Sequence, residues 1–148
     1  MVTHKLQSAY GFLSTLGAPK ALVMPVQVAL TATLVVLTAI IWRNAAPHAL
    51  KAAFLIVAAT LVSPYVFVYD LTLLAVAQAF LLRHWLSTGL GQREAIILLA
   101  VNTLVVLMMT IKLPMGFLGS LFLLGAVLYE VRAHMSWGNL LPRRTAPA

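Results

Sequence analysis

Four long apolar runs make up most of the chain, and short polar or charged stretches separate them. The runs cover Ala21–Trp42, Ala52–Leu82, Ala95–Ile111 and Leu113–Tyr129. A helix needs about 20 apolar residues to cross the roughly 30 Å of hydrocarbon in a bilayer. Each run approaches or exceeds that length. The pattern therefore predicts an all-α fold, a multi-span transmembrane helical bundle.

The second run decides how many spans the chain has. As one helix, residues 50–82 would be about 50 Å long, well beyond the hydrocarbon thickness. Ser63-Pro64 lies in the middle of the run, and proline disfavours helix in the residue before it. Asp70, followed by Leu-Thr-Leu-Leu, resembles an N-cap that opens another helix. We therefore expect a hairpin of two short helices and about five spans, with four spans as the alternative.

The first 19 residues form a separate unit. Apolar side chains recur there at helical spacing, at Leu6, Tyr10, Leu13 and Leu16, while Gln7 and Ser8 lie mostly elsewhere on the helix. Gly17-Ala-Pro19 should stop this helix. We expect an amphipathic helix in the membrane interface over residues 1–19, a transmembrane bundle over residues 20–137 and a basic cytoplasmic tail over residues 138–148.

Composition and charge narrow the class of protein. Hydrophobic residues make up 62% of the chain and charged residues 9%, and the net charge is +7. Almost every Lys or Arg lies alone at the edge of an apolar run, which excludes a nucleic-acid-binding domain and a water-soluble enzyme. The chain has no cysteine, which excludes disulfides and zinc–cysteine sites. The bilayer and other membrane helices are the partners that this composition predicts.

The positions of the basic residues predict an orientation. With either five or four spans, 3 of the 10 Lys and Arg residues fall on one face of the membrane and the others on the opposite face. The positive-inside rule then puts the C-terminus in the cytoplasm. With five spans, the N-terminus and the turn at Ser63–Asp70 lie on the outer side. Trp42, Trp85 and Trp137 lie at or just beyond run ends, where interfacial anchors are expected.

Four residues are candidates for contacts with a substrate or a lipid phosphate. Asp70 either caps the following helix with its carboxylate or lines a polar cavity and contacts a substrate or cation. Tyr65 and Tyr69 flank the same turn, as interfacial tyrosines or as ligand contacts. Lys112, between the last two runs, either snorkels to the interface or binds a lipid phosphate.

Uncharged amides within the runs predict hydrogen bonds between helices. Gln27, Gln78 and Asn102 lie well inside apolar segments, where amides usually bridge helices. The four histidines are scattered along the chain, and no two carboxylates are close in sequence. We therefore predict no metal site and no cofactor.

Two stretches of the chain resemble a known family. The first is Lys5-Leu-Gln-Ser-Ala-Tyr-Gly-Phe-Leu-Ser-Thr-Leu-Gly-Ala-Pro19, followed by a long hydrophobic helix. It is similar to the C-terminal third of bacterial glycosyltransferase family 87, a set of mannosyltransferase-like membrane enzymes. Ala59-Thr-Leu-Val-Ser-Pro-Tyr-Val-Phe-Val-Tyr-Asp-Leu-Thr-Leu-Leu74 resembles its proline-tyrosine turn and the helix that follows. Beyond Leu82 the likeness is one of hydropathy pattern. Val68 departs from the polar or acidic residue that family members often carry there.

The resemblance implies a function and a location. It implies a protein of the bacterial cytoplasmic membrane that resembles the C-terminal membrane part of an enzyme transferring a mannose-like hexose from a polyprenyl-phosphate sugar. The catalytic carboxylate of such enzymes is expected upstream of the matched region, so the catalytic residues are unknown and the chain is expected to be incomplete. Two alternatives are a small transporter or channel subunit with a broken helix at Ser63–Asp70, and a non-catalytic helical membrane partner.

Overall fold

The structure, a computed structural model, describes residues 6–107 and 114–135. Within them, 83% of the residues are helical and none forms a strand, so the predicted all-α fold class is confirmed. The helices are α1 (Ala9–Thr15), α2 (Lys20–Arg43), α3 (His48–Val62), α4 (Thr72–Thr88), α5 (Gln92–Leu107) and α6 (Met115–His134), and a 3₁₀ turn (Val68–Leu71) precedes α4.

The predicted break in the second apolar run is present. Helix α3 ends at Val62, and Ser63 has an extended backbone, with φ −75° and ψ 127°. Proline at position 64 causes this, because its ring crowds the preceding residue out of the helical region.

The first helix stops where the sequence predicts, since Gly17 adopts a φ of +79°, which only glycine reaches without strain.

The five longer helices run alternately up and down, which gives the bundle two distinct ends. We call residues 63–71 and the helix ends around them the tip, and the opposite end the base. Gln27, near the start of α2, bonds the end of α3, and Arg93, at the start of α5, pairs with Glu130 near the end of α6. These contacts fix the antiparallel order of the helices.

The core lies between the α3–α4 hairpin and α6. Its fully buried side chains include Leu50, Phe54, Val57 and Leu61 of α3, Leu74 and Leu81 of α4, and Leu123 and Val127 of α6. Helix α5 contributes only Ile97 and Val101 to the buried set. Helix α2 is also largely exposed, and its outward positions carry apolar side chains. The hairpin is therefore the centre of the bundle, and α2 and α5 flank it.

Within the part of the chain that the structure describes, two helices are long and apolar enough to cross a membrane. They are α2, with a mean hydropathy of 2.1 over its best window, and α6, with 1.4. Helix α3 is apolar but shorter, and its 15 residues span about 22 Å. A length of this kind falls short of the roughly 30 Å of hydrocarbon in an average bilayer.

The first helix differs from its prediction in extent and in buried face. It covers Ala9–Thr15 rather than most of residues 1–19, and residues 1–5 lie outside the described residues. Gln7 and Ser8, expected on the polar side of the helix, are buried, with 2% and 0% of their surface exposed. The amphipathic pattern misassigned them because both side chains bond to other parts of the bundle. A position in a membrane interface stays a prediction.

The tryptophans divide between two environments. Trp42 is 45% exposed near the end of α2, which suits an interfacial anchor. Trp85 is 2% exposed and packs in the core, so its prediction as an anchor is wrong. Its position at the end of an apolar run did not reveal that this face of α4 turns toward α3 and α6. Trp137 and the predicted tail at residues 138–148 lie outside the described residues.

Candidate functional site

The N-terminal segment is bonded directly to the tip. Ser8 Oγ donates a hydrogen bond to the carbonyl oxygen of Pro64 at 2.5 Å, and the Gln7 N–H donates to the carbonyl of Val66 at 2.7 Å. Ser8 Oγ also accepts from the Gly11 N–H at 3.1 Å, and so caps α1. Backbone groups outside helices need partners from the protein or from water. Here the N-terminal segment supplies partners for the carbonyls of Pro64 and Val66.

Gln7 also caps the first turn of α6. Its side-chain Oε1 accepts a hydrogen bond from the Gly116 N–H at 3.0 Å. The residue at the N-cap position of α6, Pro114, makes no side-chain cap, so Gln7 supplies the acceptor that the first turn requires. A Cβ atom on Gly116 would collide with Leu71 and would lie 2.9 Å from Gln7 Oε1. Glycine therefore permits this close contact between α6 and the tip.

Gln27 joins three helices at the same end of the bundle. Its Oε1 accepts from the Tyr10 N–H of α1 at 3.2 Å. Its Nε2 donates to the carbonyls of Leu61 and Val62, at 3.0 and 3.1 Å. Those carbonyls belong to the last turn of α3 and have no partner within that helix. The predicted role of Gln27 as a bridge between helices is confirmed.

The outer surface of the tip is aromatic. Tyr65 is 58% exposed and Tyr69 is 69% exposed. The rings of Phe67 and Tyr69 stack, with centroids 5.6 Å apart and planes 12° apart, and Tyr10 lies against Tyr65 at 6.1 Å. Sequence reasoning identified Tyr65 and Tyr69 but missed Tyr10 and Phe67. The alternation of aromatic and aliphatic residues from 63 to 70 was the available signal for Phe67.

Asp70 is half-buried and acts within the tip itself. Its Oδ2 accepts a hydrogen bond from the Phe67 N–H at 2.9 Å, which stabilises the 3₁₀ turn. The predicted N-cap of the following helix is wrong in register, because α4 begins at Thr72 and Leu71 occupies its N-cap position. The carboxylate instead accepts a bond from Phe67, the residue three positions earlier in the chain. Its Oδ1 makes no hydrogen bond to the described residues.

The fourth candidate, Lys112, lies outside the described residues. The other three, Tyr65, Tyr69 and Asp70, share the tip because they are neighbours in sequence. What the structure adds is the set of distant residues bonded around them, above all Gln7, Ser8 and Gln27.

A second polar cluster occupies the base. Arg93 of α5 pairs with Glu130 of α6 at 3.8 Å, and its guanidinium lies 4.0 Å from the centroid of the Tyr129 ring. The rings of His84 and His134 meet edge to face at 5.8 Å. Sequence reasoning missed the histidine pair, since the two residues are on different helices. Their common position near basic residues at run ends was the only signal.

Across the described ranges, no group of three or more His, Cys, Asp or Glu side chains could hold a metal ion. Comparisons with known proteins give no match to a protein-family model, to a curated protein or to a solved structure. These comparisons therefore assign the chain to no family, and its resemblance to glycosyltransferase family 87 stays a prediction.

Proposed function

We propose that the chain is a five-span protein of the bacterial cytoplasmic membrane, with the base on the cytoplasmic side. Two helices that are long and apolar enough to cross a bilayer support this. So does the distribution of charge, because Arg43, Lys51, Arg83, Arg93 and Arg132 all belong to the base. Lys20 is the basic residue at the tip end among the described residues. Such asymmetry is what the positive-inside rule describes.

Within that membrane, we propose that the tip binds a polyprenyl-phosphate sugar, as the membrane part of a hexosyltransferase. One observation carries this proposal. The two stretches that resemble glycosyltransferase family 87 are far apart in sequence, yet Ser8 and Gln7 of the first bond directly to Pro64 and Val66 of the second. The residues behind the resemblance therefore belong to one structural unit, with Tyr65 and Tyr69 on its surface.

The chemistry of the tip suits a sugar better than a phosphate. Exposed tyrosines combine a flat apolar ring with a hydroxyl that can bond to polar groups, and they favour the membrane interface. Asp70 Oδ1 is available as an acceptor for sugar hydroxyls, whereas a carboxylate repels a phosphate. The predicted partner for the lipid phosphate is Lys112.

Photocrosslinking tests the proposal. Purified protein in phospholipid nanodiscs is exposed to a photoreactive polyprenyl-phosphate mannose. Replacing both Tyr65 and Tyr69 by alanine should lower the labelling about tenfold, as expected for the loss of roughly 1.4 kcal/mol of binding. Asp70→Asn should lower it less, since asparagine keeps an acceptor oxygen.

Tyr129→Ala is the matched control, because Tyr129 is 56% exposed but lies at the base. Its labelling should equal that of the unmodified chain. Equal labelling of all variants would contradict a sugar site at the tip. No labelling of any form, in protein that is properly inserted, would favour the non-catalytic helical partner.

A further inference from the structure

A groove with a polar centre runs along the surface between α4 and α5. It consists of two adjoining cavities of about 220 and 280 Å³. Both are lined by Ala75, Gln78 and Asn102. The rest of the lining is apolar apart from Thr72, and it includes Leu74, Ala79, Leu98 and Val105. The groove reaches the tip at Val68 and Leu71, but Tyr65, Tyr69 and Asp70, the tip residues proposed to contact a sugar, do not line it.

The two amides in the groove are only partly satisfied. Asn102 Nδ2 donates to Gln78 Oε1 and to the carbonyl of Leu98, both at 2.8 Å. Neither Gln78 Nε2 nor Asn102 Oδ1 makes a hydrogen bond to the described residues. The groove therefore offers one free amide donor and one free amide acceptor beside each other.

In the proposed membrane location, these free groups lie below the headgroups on the tip side of the bilayer. Gln78 follows the first residue of α4 by six positions, about 9 Å along the helix axis. Asn102 is exposed on the surface of the bundle, whereas Gln78 is only 8% exposed and faces the two cavities that it lines. In the proposed membrane location the open side of the groove faces hydrocarbon, where an unsatisfied polar group is strongly unfavourable. A partner that supplies one donor and one acceptor would remove this cost.

We propose that the partner is a second copy of this chain, bound groove to groove about a two-fold axis. Rotation by 180° presents the same patch to itself, so Gln78 Nε2 of each copy donates to Asn102 Oδ1 of the other. Gln78 and Asn102 of one copy thus supply both the donor and the acceptor that the same two residues of the other copy lack. Lipid chains cannot do this, because their hydrocarbon has neither donor nor acceptor.

The helices around the groove permit such an approach. Ala75 and Ala79 are small and exposed on α4, and small residues let transmembrane helices come close. On α5, Leu99 and Val106 are 68% and 67% exposed and are available for apolar contact. This inference rests on the membrane location proposed above and not on sugar binding.

Disulfide crosslinking tests the dimer, and the absence of native cysteine makes it direct. Ala75→Cys protein is reconstituted in vesicles of phosphatidylethanolamine and phosphatidylglycerol and then oxidised. We expect it to form a covalent dimer, because position 75 lines both cavities and faces its counterpart across the proposed axis, and a disulfide requires Cα atoms within about 7 Å of each other. Ala39→Cys is the matched control. Ala39 is also exposed and lines an apolar groove, between α2 and α3, and it should crosslink little.

A second change tests the amides themselves. Asn102→Leu, added to Ala75→Cys, should weaken dimerisation about 3- to 30-fold, the range expected for interhelical hydrogen bonds. Thr103→Leu, the neighbouring exposed polar residue on α5, should leave it unchanged. Circular dichroism of each variant checks that it keeps its helices.

Equal crosslinking at positions 75 and 39 would overturn the dimer, as would an Asn102→Leu variant that crosslinks like its parent. Failure of the unmodified chain to enter vesicles would overturn the membrane location as well. A reconstituted protein that labels with the sugar lipid but does not crosslink would refute the dimer alone.

Discussion

The tip and the base of the bundle are closed by different kinds of contact. At the tip, buried neutral side chains bond to backbone groups, as Gln7 does to Gly116 and Gln27 to Leu61. At the base, Arg93 meets Glu130 at 3.8 Å through a side chain that is half exposed. Buried backbone groups are costly to leave unsatisfied, whereas exposed ion pairs contribute little. The tip should therefore hold the bundle together more strongly than the base.

Replacing Gln27 by leucine should have the largest effect on stability. The change leaves the Tyr10 N–H and the carbonyls of Leu61 and Val62 without this amide. We expect a loss of about 2 kcal/mol in the free energy of unfolding, measured by denaturant titration in mixed micelles. Thr33→Ala, an exposed change on the same helix, should have almost no effect. An equal loss in both variants would contradict the bridging role.

Gln7→Leu tests the link between the N-terminal segment and α6. It removes the acceptor for the Gly116 N–H, and we expect a loss of about 1.5 kcal/mol. Hydrogen exchange at the first turn of α6 should accelerate in the same variant. Gln92→Leu, at an exposed position of the base, serves as the control. Unchanged exchange at Gly116 would show that the bond is unimportant.

Replacing either of two glycines of α6 by alanine should change the stability of the protein, in opposite directions at the two positions. Gly116→Ala forces a Cβ atom against Leu71 and Gln7 and should cost about 1 kcal/mol. Gly125 has open space around its Cβ position, so alanine there should stabilise the helix by about 0.5 kcal/mol. Thermal unfolding of the two variants in the same detergent gives the comparison. A loss of equal size at both positions would contradict close packing at the tip.

Glu130→Gln, at the base, should have the smallest effect. Because Arg93 is half exposed, its pair with Glu130 should contribute about 0.5 kcal/mol in low salt and less as salt increases. Measuring the difference between the variant and the parent at two salt concentrations tests this. A large difference that persists in high salt would mean that the base is held as firmly as the tip.

The sequence could predict the parts of the fold that depend on neighbouring residues. Apolar runs long enough for helices, the proline at position 64 and the glycine at position 17 are local features, and the helices begin and end near them. Asp70 was identified as a cap, although with the wrong partner, because a shift of one or two residues in the helix start changes which N–H lies within its reach.

The contacts between distant residues could not be predicted from one sequence. Gln7 and Gly116 are separated by 109 positions, and nothing in the residues around either one specifies the other. The same holds for His84 and His134, and for Trp85, whose burial depends on how α4 is rotated toward α3. Polar residues in a short amphipathic pattern were assigned to the surface, whereas the folded bundle uses them as internal bonds.

The bond from Gln7 to Gly116 also sets an order in time. During synthesis at roughly 5 to 20 residues per second, Gly116 is added about 5 to 20 s after Gln7. Until then the Gln7 side chain lacks this partner, and the tip can bond to the N-terminal segment but not to α6. The contact between the tip and α6 therefore forms later than the contacts within the tip itself, and chains that stop before residue 116 should remain open at the tip.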